Sequence, residues 1–217
     1  MSLQLLRTFE RANDGIAALV DRDLAAFIAS LNFERPEAVQ RAVFEFVPVL
    51  VAQYGDVAAT VAADWYDELR AAEGVRGRFR APLAPLVPDE VVTDRLGYAS
   101  RASGPLWLGD VEAFTSFVAM MTNEYALQPG RDTVMSAAHD DKAAYARIPE
   151  PGACKFCLKL ASRGFVYSKS SAGQSKKFHG KCRCNTMPVW DETRARVEYG
   201  YDPDALYDLY RQDVDAK

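Results

Sequence analysis

The stretch DVAATVAADWYDELRAA, residues 56–72, decides the fold class of this chain. Residues four apart lie on the same side of an α-helix, and the apolar residues of this stretch follow that spacing. The pattern therefore predicts a helix with a wide apolar face. The recurring positions are Val57, Val61, Trp65 and Leu69, with Ala58, Ala62 and Tyr66 beside them.

The same kind of spacing occurs on both sides of this stretch. LVDRDLAAFIASL, residues 19–31, and GDVEAFTSFVAMMTNEYAL, residues 109–127, repeat apolar residues at intervals of three and four. PEAVQRAVFEFVPVLVAQYG, residues 36–55, predicts a helix that begins at Pro36 and is kinked near Pro48. Most of the first 150 residues are therefore predicted to be helical.

Two aspartates mark predicted helix starts. Asp110 is placed to cap the helix of residues 109–127. Asp202, followed by Pro203, gives the cap and first-turn signal for a C-terminal helix in DPDALYDLYRQDV, residues 202–214.

Between about Gly74 and Gly109 the helical pattern is interrupted. RGRFRAPLAPLVPDE, residues 76–90, holds three prolines in seven residues. We predict a long connection, draped over other surfaces, with one short helix around Asp89 to Ser100. Because a connection of this length is uncommon inside a compact domain, it favours an extended shape or a partner that covers it.

Charge divides the chain into three parts. Residues 1–150 carry 14 basic and 22 acidic side chains, a net charge of −8. Residues 151–190 carry eight basic side chains and no Asp or Glu, and residues 191–217 return to −4. We therefore predict a helical body, a basic unit of residues 151–190 that holds every cysteine (the cysteine unit), and an acidic helical tail.

Composition and motifs exclude several classes of protein. Hydrophobic residues make up 49% of the chain and charged residues 26%, enough for an ordinary core. No unbroken apolar run approaches the ~18–20 residues of a membrane span, and the N-terminus does not read as a secretory signal. We expect no membrane contact and synthesis in a reducing cytoplasm, where clustered cysteines more often bind metal than form disulfides. Glycine-rich nucleotide loops and standard hydrolase motifs are absent from the sequence.

All four cysteines and one of the two histidines fall within 31 positions, spaced Cys154-x2-Cys157-x21-His179-x2-Cys182-x-Cys184. A C-x-x-C turn brings two sulfurs to one point, and zinc then needs two more nitrogen or sulfur ligands at tetrahedral corners. The eight nearby cations would favour the thiolates that a metal requires. The predicted zinc ligands are Cys154, Cys157, His179 and one of Cys182 and Cys184, with Cys184 preferred.

Two other chemistries fit the same residues. Disulfides would form if the protein ended up outside the cell. A nucleophilic pair needs a base within reach of a thiol, which His179 would supply to Cys157 or Cys154. Against this pair, Asn185 is the only local orienting residue and no oxyanion hole is apparent. The other histidine, His139, stands alone in a polar stretch and is predicted at the surface or at a helix end.

The segment between the cysteine pairs, LASRGFVYSKSSAGQSKKFHG, residues 160–180, predicts two short strands joined by a polar turn. Gly164 suits a position of positive φ before the first strand. We therefore predict a mainly α fold: a helical N-terminal body, a small zinc-stapled unit that contains a β-hairpin, and a terminal helix. Basic side chains of the unit either contact DNA phosphates or a partner, or keep the loop soluble; they are Lys169, Lys176, Lys177, Lys181 and Arg183.

The cysteine unit also carries the pattern of a known family. C-x-x-C, then LASRG-x-x-Y, F-H-x-x-C-x-C and MPVW resembles the MuF-like minor head proteins of tailed phages, especially those of actinobacterial phages. That group is often labelled "capsid maturation protease". YGDVAATVAADWYDELR ahead of a proline-rich stretch is similar to the same group. The resemblance covers most of the chain, and residues 154–190 are its specific part.

The resemblance implies a protein present in few copies at the portal or in the head interior of the virion. It implies a part in head assembly and in DNA packaging or delivery, with the portal protein and other head proteins as partners. Packaged DNA is a further candidate partner of the basic unit. Family zinc-ligand roles would fall on Cys154, Cys157, His179, Cys182 and Cys184.

Two functional hypotheses from different classes remain. The first is a structural minor head protein. The second is a capsid maturation cysteine peptidase that uses Cys157 or Cys154 with His179. Neither the family pattern nor this chain has a Ser–His–Asp or metalloprotease arrangement, and a histidine bound to zinc cannot act as a base, so we assign no catalytic residue. A bacterial DNA-binding regulator with a zinc ribbon is a third hypothesis, which the acidic body and the lack of a recognition-helix pattern disfavour.

Overall fold

A computed structural model describes residues 2–150, 152–165, 178 and 182–215 of the chain. This part contains seven helices and one two-stranded sheet, so the predicted mainly α fold is confirmed. In chain order the elements are α1 (Ser2–Ala29), α2 (Pro36–Ala72), α3 (Asp89–Ala99), α4 (Val111–Asp140), β1 (Ala144–Ile148), α5 (Lys155–Ala161), β2 (Asn185–Val189), α6 (Glu192–Tyr199) and α7 (Pro203–Asp215).

The packing of α2 against α4 forms the centre of the fold. The predicted apolar face of α2 lies in this contact, but alanines rather than valines occupy its middle: Ala58 and Ala62 are fully buried, whereas Val57 is 42% exposed. The cause is the close approach of Gly130 in α4. A Cβ atom at Gly130 would stand 2.8 Å from the carbonyl oxygen of Ala58. Only small residues fit where the two helices cross.

The predicted helix ends agree with the structure. The Asp110 carboxylate accepts a hydrogen bond from the backbone N of Ala113 at 3.0 Å and so caps α4. Asp202 caps α7 in the same way, and α2 begins at Pro36. His139 occupies the last turn of α4, the kind of helix-end position that was predicted.

Two prolines lie inside helices. Pro48 is within α2, and the kink predicted there stays a prediction. Pro129 is within α4, which continues past Leu127, the end of the predicted segment, to Asp140. Pro129 packs closely against Gly55 of α2, where an added Cβ atom would lie 3.1 Å from Pro129 Cγ. This contact explains why α4 continues through the proline. Tertiary packing at this crossing compensates for the backbone hydrogen bond that a proline removes.

The proline-rich connection between α2 and α3 lies against the helical body. The backbone N of Ala84 donates to Thr133 Oγ1 of α4 at 2.9 Å, and that of Ala81 donates to Asp67 Oδ1 of α2 at 3.0 Å. The connection is therefore held by the helical body, as predicted for a draped segment. The contacts are made within the chain, without an extended shape and without a partner that covers the segment.

A buried ion pair joins this connection to the end of α4. Arg70 Nε donates to Asp141 Oδ2 at 2.8 Å, and the two side chains are only 10% and 8% exposed. The other guanidinium nitrogens donate to the carbonyls of residues 75–77. The same Asp141 oxygen accepts from the Tyr66 hydroxyl and the Trp190 indole. The pair thus links α2, the proline-rich connection, the end of α4 and the segment after β2.

The sheet brings the two ends of the cysteine unit together. β1 precedes the cysteines and β2 follows them, and the strands pair antiparallel with Ile148 opposite Asn185. Most of the hairpin predicted within residues 160–180 lies outside the described residues, so it stays a prediction. Gly164 has the expected positive φ, 74°.

Among the described helices, α2 is the one whose length and apolar composition would allow it to cross a membrane. However, 56% of its apolar window is buried inside the protein. Packing in the core therefore accounts for the composition of this helix. The search for unbroken apolar runs in the sequence did not identify this helix, because Pro48 and polar residues interrupt its hydrophobic positions.

Replacement of Arg70 by methionine should lower the free energy of unfolding by about 3–5 kcal/mol, because it leaves the buried Asp141 carboxylate without its cation. Arg80→Met is the matched control: Arg80 pairs with Asp67, but its own side chain is 87% exposed. An exposed pair contributes at most about 1 kcal/mol. Urea denaturation followed by circular dichroism measures both variants, and equal losses would contradict the importance of the buried pair.

Candidate metal centre

Three of the four cysteines form a buried cluster. The sulfurs of Cys157, Cys182 and Cys184 all lie within 4.8 Å of one another, and Cys157 Sγ is 3.3 Å from Cys182 Sγ. In a tetrahedral site with metal–sulfur bonds of about 2.3 Å, sulfurs stand about 3.8 Å apart. The spacing is therefore compatible with three thiolates on one metal ion.

The neighbouring elements explain why these sulfurs converge. Cys157 lies in the first turn of α5 with its side chain 1% exposed. Cys182 and Cys184 come directly before β2, whose first residue, Asn185, pairs with the last residue of β1. Because α5 packs against β1, the strand pairing carries the second pair of cysteines to α5.

The structure brings some of the predicted metal ligands together and leaves one apart, and it does not describe the others. Both Cys182 and Cys184 join the cluster, although the sequence left a choice between them. Cys154 caps the N-terminus of α5, three residues before Cys157, and is exposed; it is not one of the three mutually close sulfurs. The remaining candidates lie outside the described residues: His179, Lys169, Lys176, Lys177 and Lys181.

Two buried arginines flank the cluster, and the sequence analysis did not identify them. Arg131 of α4 is 5% exposed and Arg147 of β1 is 2% exposed. Nη1 of Arg147 donates to Cys157 Sγ at 3.6 Å, and Nη2 of Arg131 donates to the carbonyl oxygen of Cys182. Both arginines come from outside the cysteine unit, whose own cations were expected to supply the positive charge. The available signal was an arginine within the short apolar run AYARI.

The ring of Phe178 lies against both guanidinium groups. Its centroid is 4.0 Å from Cζ of Arg131 and 3.9 Å from Cζ of Arg147. The ring is 5% exposed and packs with the three clustered cysteines. Since a desolvated cation–π contact contributes about 2 kcal/mol, the ring stabilises two like charges beside the sulfurs.

Burial and neighbouring groups shift the pKa values of the cluster in different directions. Burial lowers the pKa of Arg131, and the Cys182 sulfur opposes that shift. Hydrogen bonds from Cys157 and Cys184 lower the pKa of Cys182 against the effect of burial, and the charge of Arg131 adds to this lowering. The hydrogen bonds with Cys182 and Cys184, together with burial, raise the pKa of Cys157. A bound metal would require all three cysteines as thiolates.

The negative charge near Arg131 comes mainly from the sulfurs of Cys182 and Cys184, with a smaller contribution from the Glu124 carboxylate. Within the described ranges no carboxylate forms an ion pair with Arg131, and its buried Nη1 has no hydrogen-bond partner there. Residues 151–190 contain no Asp or Glu. A buried cation without a compensating charge is strongly destabilising. The donor set and its surroundings therefore fit a metal ion held by thiolates.

Arg183, the described member of the predicted contact residues, is held by α1. Its Nη1 is 3.4 Å from Asp14 Oδ1 and its Nη2 is 3.8 Å from Asp21 Oδ2. Its backbone N donates to Glu150 Oε1 at 2.9 Å. A groove of about 370 Å³ between α1 and α4 opens beside it and reaches Cys182. Arg183 thus connects the cysteine unit to the body, and two carboxylates already offset its charge.

Phe178→Leu should destabilise the protein by roughly 2 kcal/mol more than Phe165→Leu, because only Phe178 contacts two buried cations. Phe165 is the matched control since it is 6% exposed and its ring meets the ring of Tyr201. The free energies of unfolding from urea titrations give the comparison. Equal losses would mean that the guanidinium groups do not depend on the Phe178 ring.

Comparison with known protein families adds an independent finding. A family model described as "VG15 protein" matches residues 1–213, which include the helical body, the cysteine unit and most of the tail. Neither the curated proteins nor the solved structures include a significant match. The chain belongs to the VG15 protein family, a family of phage proteins.

Proposed function

We propose that the chain is a structural, MuF-like minor head protein of a tailed phage, in which a zinc ion holds the cysteine unit to the helical body. The observation that carries the proposal is the buried cluster of three cysteine sulfurs beside two buried arginines. Membership of a phage protein family supports it, as does the sequence resemblance of residues 154–190 to minor head proteins.

Zinc is the metal that suits this donor set best. Soft thiolate ligands select zinc over the hard cations magnesium and calcium, and structural zinc sites are closed by four protein ligands. Cys157, Cys182 and Cys184 would supply three ligands, and Cys154 or His179 the fourth. When bound, the ion supplies a cross-link and offsets the charge of the thiolates.

The cross-link would act across a long stretch of chain. Cys157 and Cys182 are 25 residues apart in sequence, and a link that closes a loop of this length limits the unfolded chain more than a short one does. Arg131 and Arg147 belong to α4 and β1, so the same site also joins the cysteine unit to the body. A stable docked unit is what a head protein needs to present one fixed surface to its neighbours.

The peptidase alternative now depends on Cys154. Cys157 is 1% exposed, and the hydrogen bonds with Cys182 and Cys184 raise its pKa, whereas a nucleophilic thiol is accessible and has a lowered pKa. Cys154 is exposed and remains the candidate nucleophile of that alternative. The two hypotheses therefore assign Cys154 different roles, a zinc ligand or a reactive thiol.

The partners and location that we propose follow the minor head assignment. The protein would be made in the host cytoplasm and incorporated at the portal or in the head interior, in contact with the portal protein and other head proteins. Packaged DNA would meet the lysines of the basic unit rather than Arg183, which faces Asp14 and Asp21.

Protein purified under reducing conditions should contain one zinc ion per chain, measured by inductively coupled plasma mass spectrometry. Removal of the ion with a chelator should lower the melting temperature, because Arg131 and Arg147 lose the thiolate charge that they face, and added zinc should restore it. Cys157→Ser should lose the metal, whereas His139→Ala, at the end of α4, should keep it. Fully reduced wild-type protein without stoichiometric metal would overturn the zinc proposal.

Mass spectrometry of purified phage particles should detect the chain in few copies per particle. In phage that carry Cys154→Ser, the head proteins should keep the same N-termini as in wild-type particles, because the chain does not cleave them. Unprocessed head proteins in the mutant particles would favour the peptidase alternative. Absence of the chain from wild-type particles would overturn the proposed place in the virion.

A further inference from the structure

We infer that the fourth ligand of the metal centre is the thiolate of Cys154 rather than the imidazole of His179, which makes the centre a four-cysteine site. Two buried arginines then neutralise its charge. The inference rests on the proposed zinc centre and names its ligands. It selects between two candidates that the spacing of the sequence left open.

The charge of the site favours four thiolates. A divalent ion with four thiolates carries two negative charges, whereas three thiolates and a neutral imidazole leave only one. The guanidinium groups of Arg131 and Arg147 remain protonated in proteins and bring two positive charges. An imidazole ligand would thus place one negative charge fewer beside two buried cations, which is costly in a medium of low polarity.

Both positive charges act at the sulfurs. Arg147 donates directly to Cys157 Sγ, and Arg131 is held at the backbone of Cys182. The ring of Phe178 contacts both guanidinium groups, its centroid lying 4.0 Å from Cζ of Arg131 and 3.9 Å from Cζ of Arg147. Two like charges in this arrangement repel each other, so each further thiolate in the cluster relieves more than one unfavourable interaction.

The position of Cys154 allows it to complete the site. It immediately precedes α5 with extended backbone, φ −66° and ψ 157°, and its carbonyl accepts from the backbone N of Leu158 at 3.0 Å. Cys157 follows in the first turn, so both cysteines stand at the same end of one short helix. The Cys154 side chain is exposed. A ligand from this side would close the centre toward solvent, as structural zinc sites require.

Zinc K-edge X-ray absorption of the full-length, zinc-loaded protein tests the inference without any substitution. We expect a first shell of four sulfur atoms and no nitrogen. A shell of three sulfurs and one nitrogen would overturn the four-cysteine site but leave the zinc centre intact. A protein that binds no zinc would overturn the zinc proposal and this inference together.

Cobalt(II) in place of zinc gives a second readout, because thiolate-to-cobalt charge-transfer absorption grows with the number of thiolate ligands. Cys154→Ser should lose about a quarter of this absorption, the share of one sulfur among four. His179→Ala should keep the full absorption and the full cobalt stoichiometry. Full charge-transfer absorption in Cys154→Ser, together with cobalt d–d bands that shift in His179→Ala but not in Cys154→Ser, would assign the fourth position to the imidazole.

Discussion

Two guanidinium groups that are cut off from water need negative charge beside them, and the arrangement of the C-terminal half depends on this requirement. Arg131 and Arg147 are buried from a helix and a strand of the body, and they meet the sulfurs of the cysteine unit. By net charge the body is acidic and the unit basic, yet at their buried contact the body supplies the cations. Surface attraction, such as that of Arg183 to Asp14 and Asp21, only supplements this contact.

A second buried charge organises the same half of the protein. The Arg70–Asp141 pair fixes the proline-rich connection, while Tyr66 and Trp190 bond to its carboxylate. One hydrophobic cluster there includes residues of α1, α2, α4, both strands, α6 and the segments around α5 and α7. The boundary that composition suggests near residue 150 is crossed by the pairing of β1 with β2. Described residues on both sides of this boundary thus share one hydrophobic cluster.

The sequence predicted those features that nearby residues determine. Helical spacing, the Asp110 and Asp202 caps and the short α3 depend on residues a few positions apart, and each was found. Paired spacing predicted that Cys157 would meet one of Cys182 and Cys184, but not that both would join the cluster without Cys154. The continuation of α4 through Pro129 was not predicted, because it depends on contact with α2 across the fold. Arg131 and Arg147 were missed for a related reason: the apolar run around Arg147 is a local sign of burial, but no nearby residue shows which distant sulfurs these arginines would face.

The same arginines bear on whether the clustered sulfurs are oxidised in pairs. A disulfide between Cys157 and Cys182 is neutral, so its formation would remove thiolate charge that Arg147 and Arg131 face across short distances. A metal–thiolate centre keeps that charge in place and shares it over all ligands. The reducing cytoplasm in which we expect the chain to be made acts in the same direction, since thiols persist there. Buried cations thus favour the metal-bound state over the disulfide on electrostatic grounds, independently of the spacing that first suggested zinc.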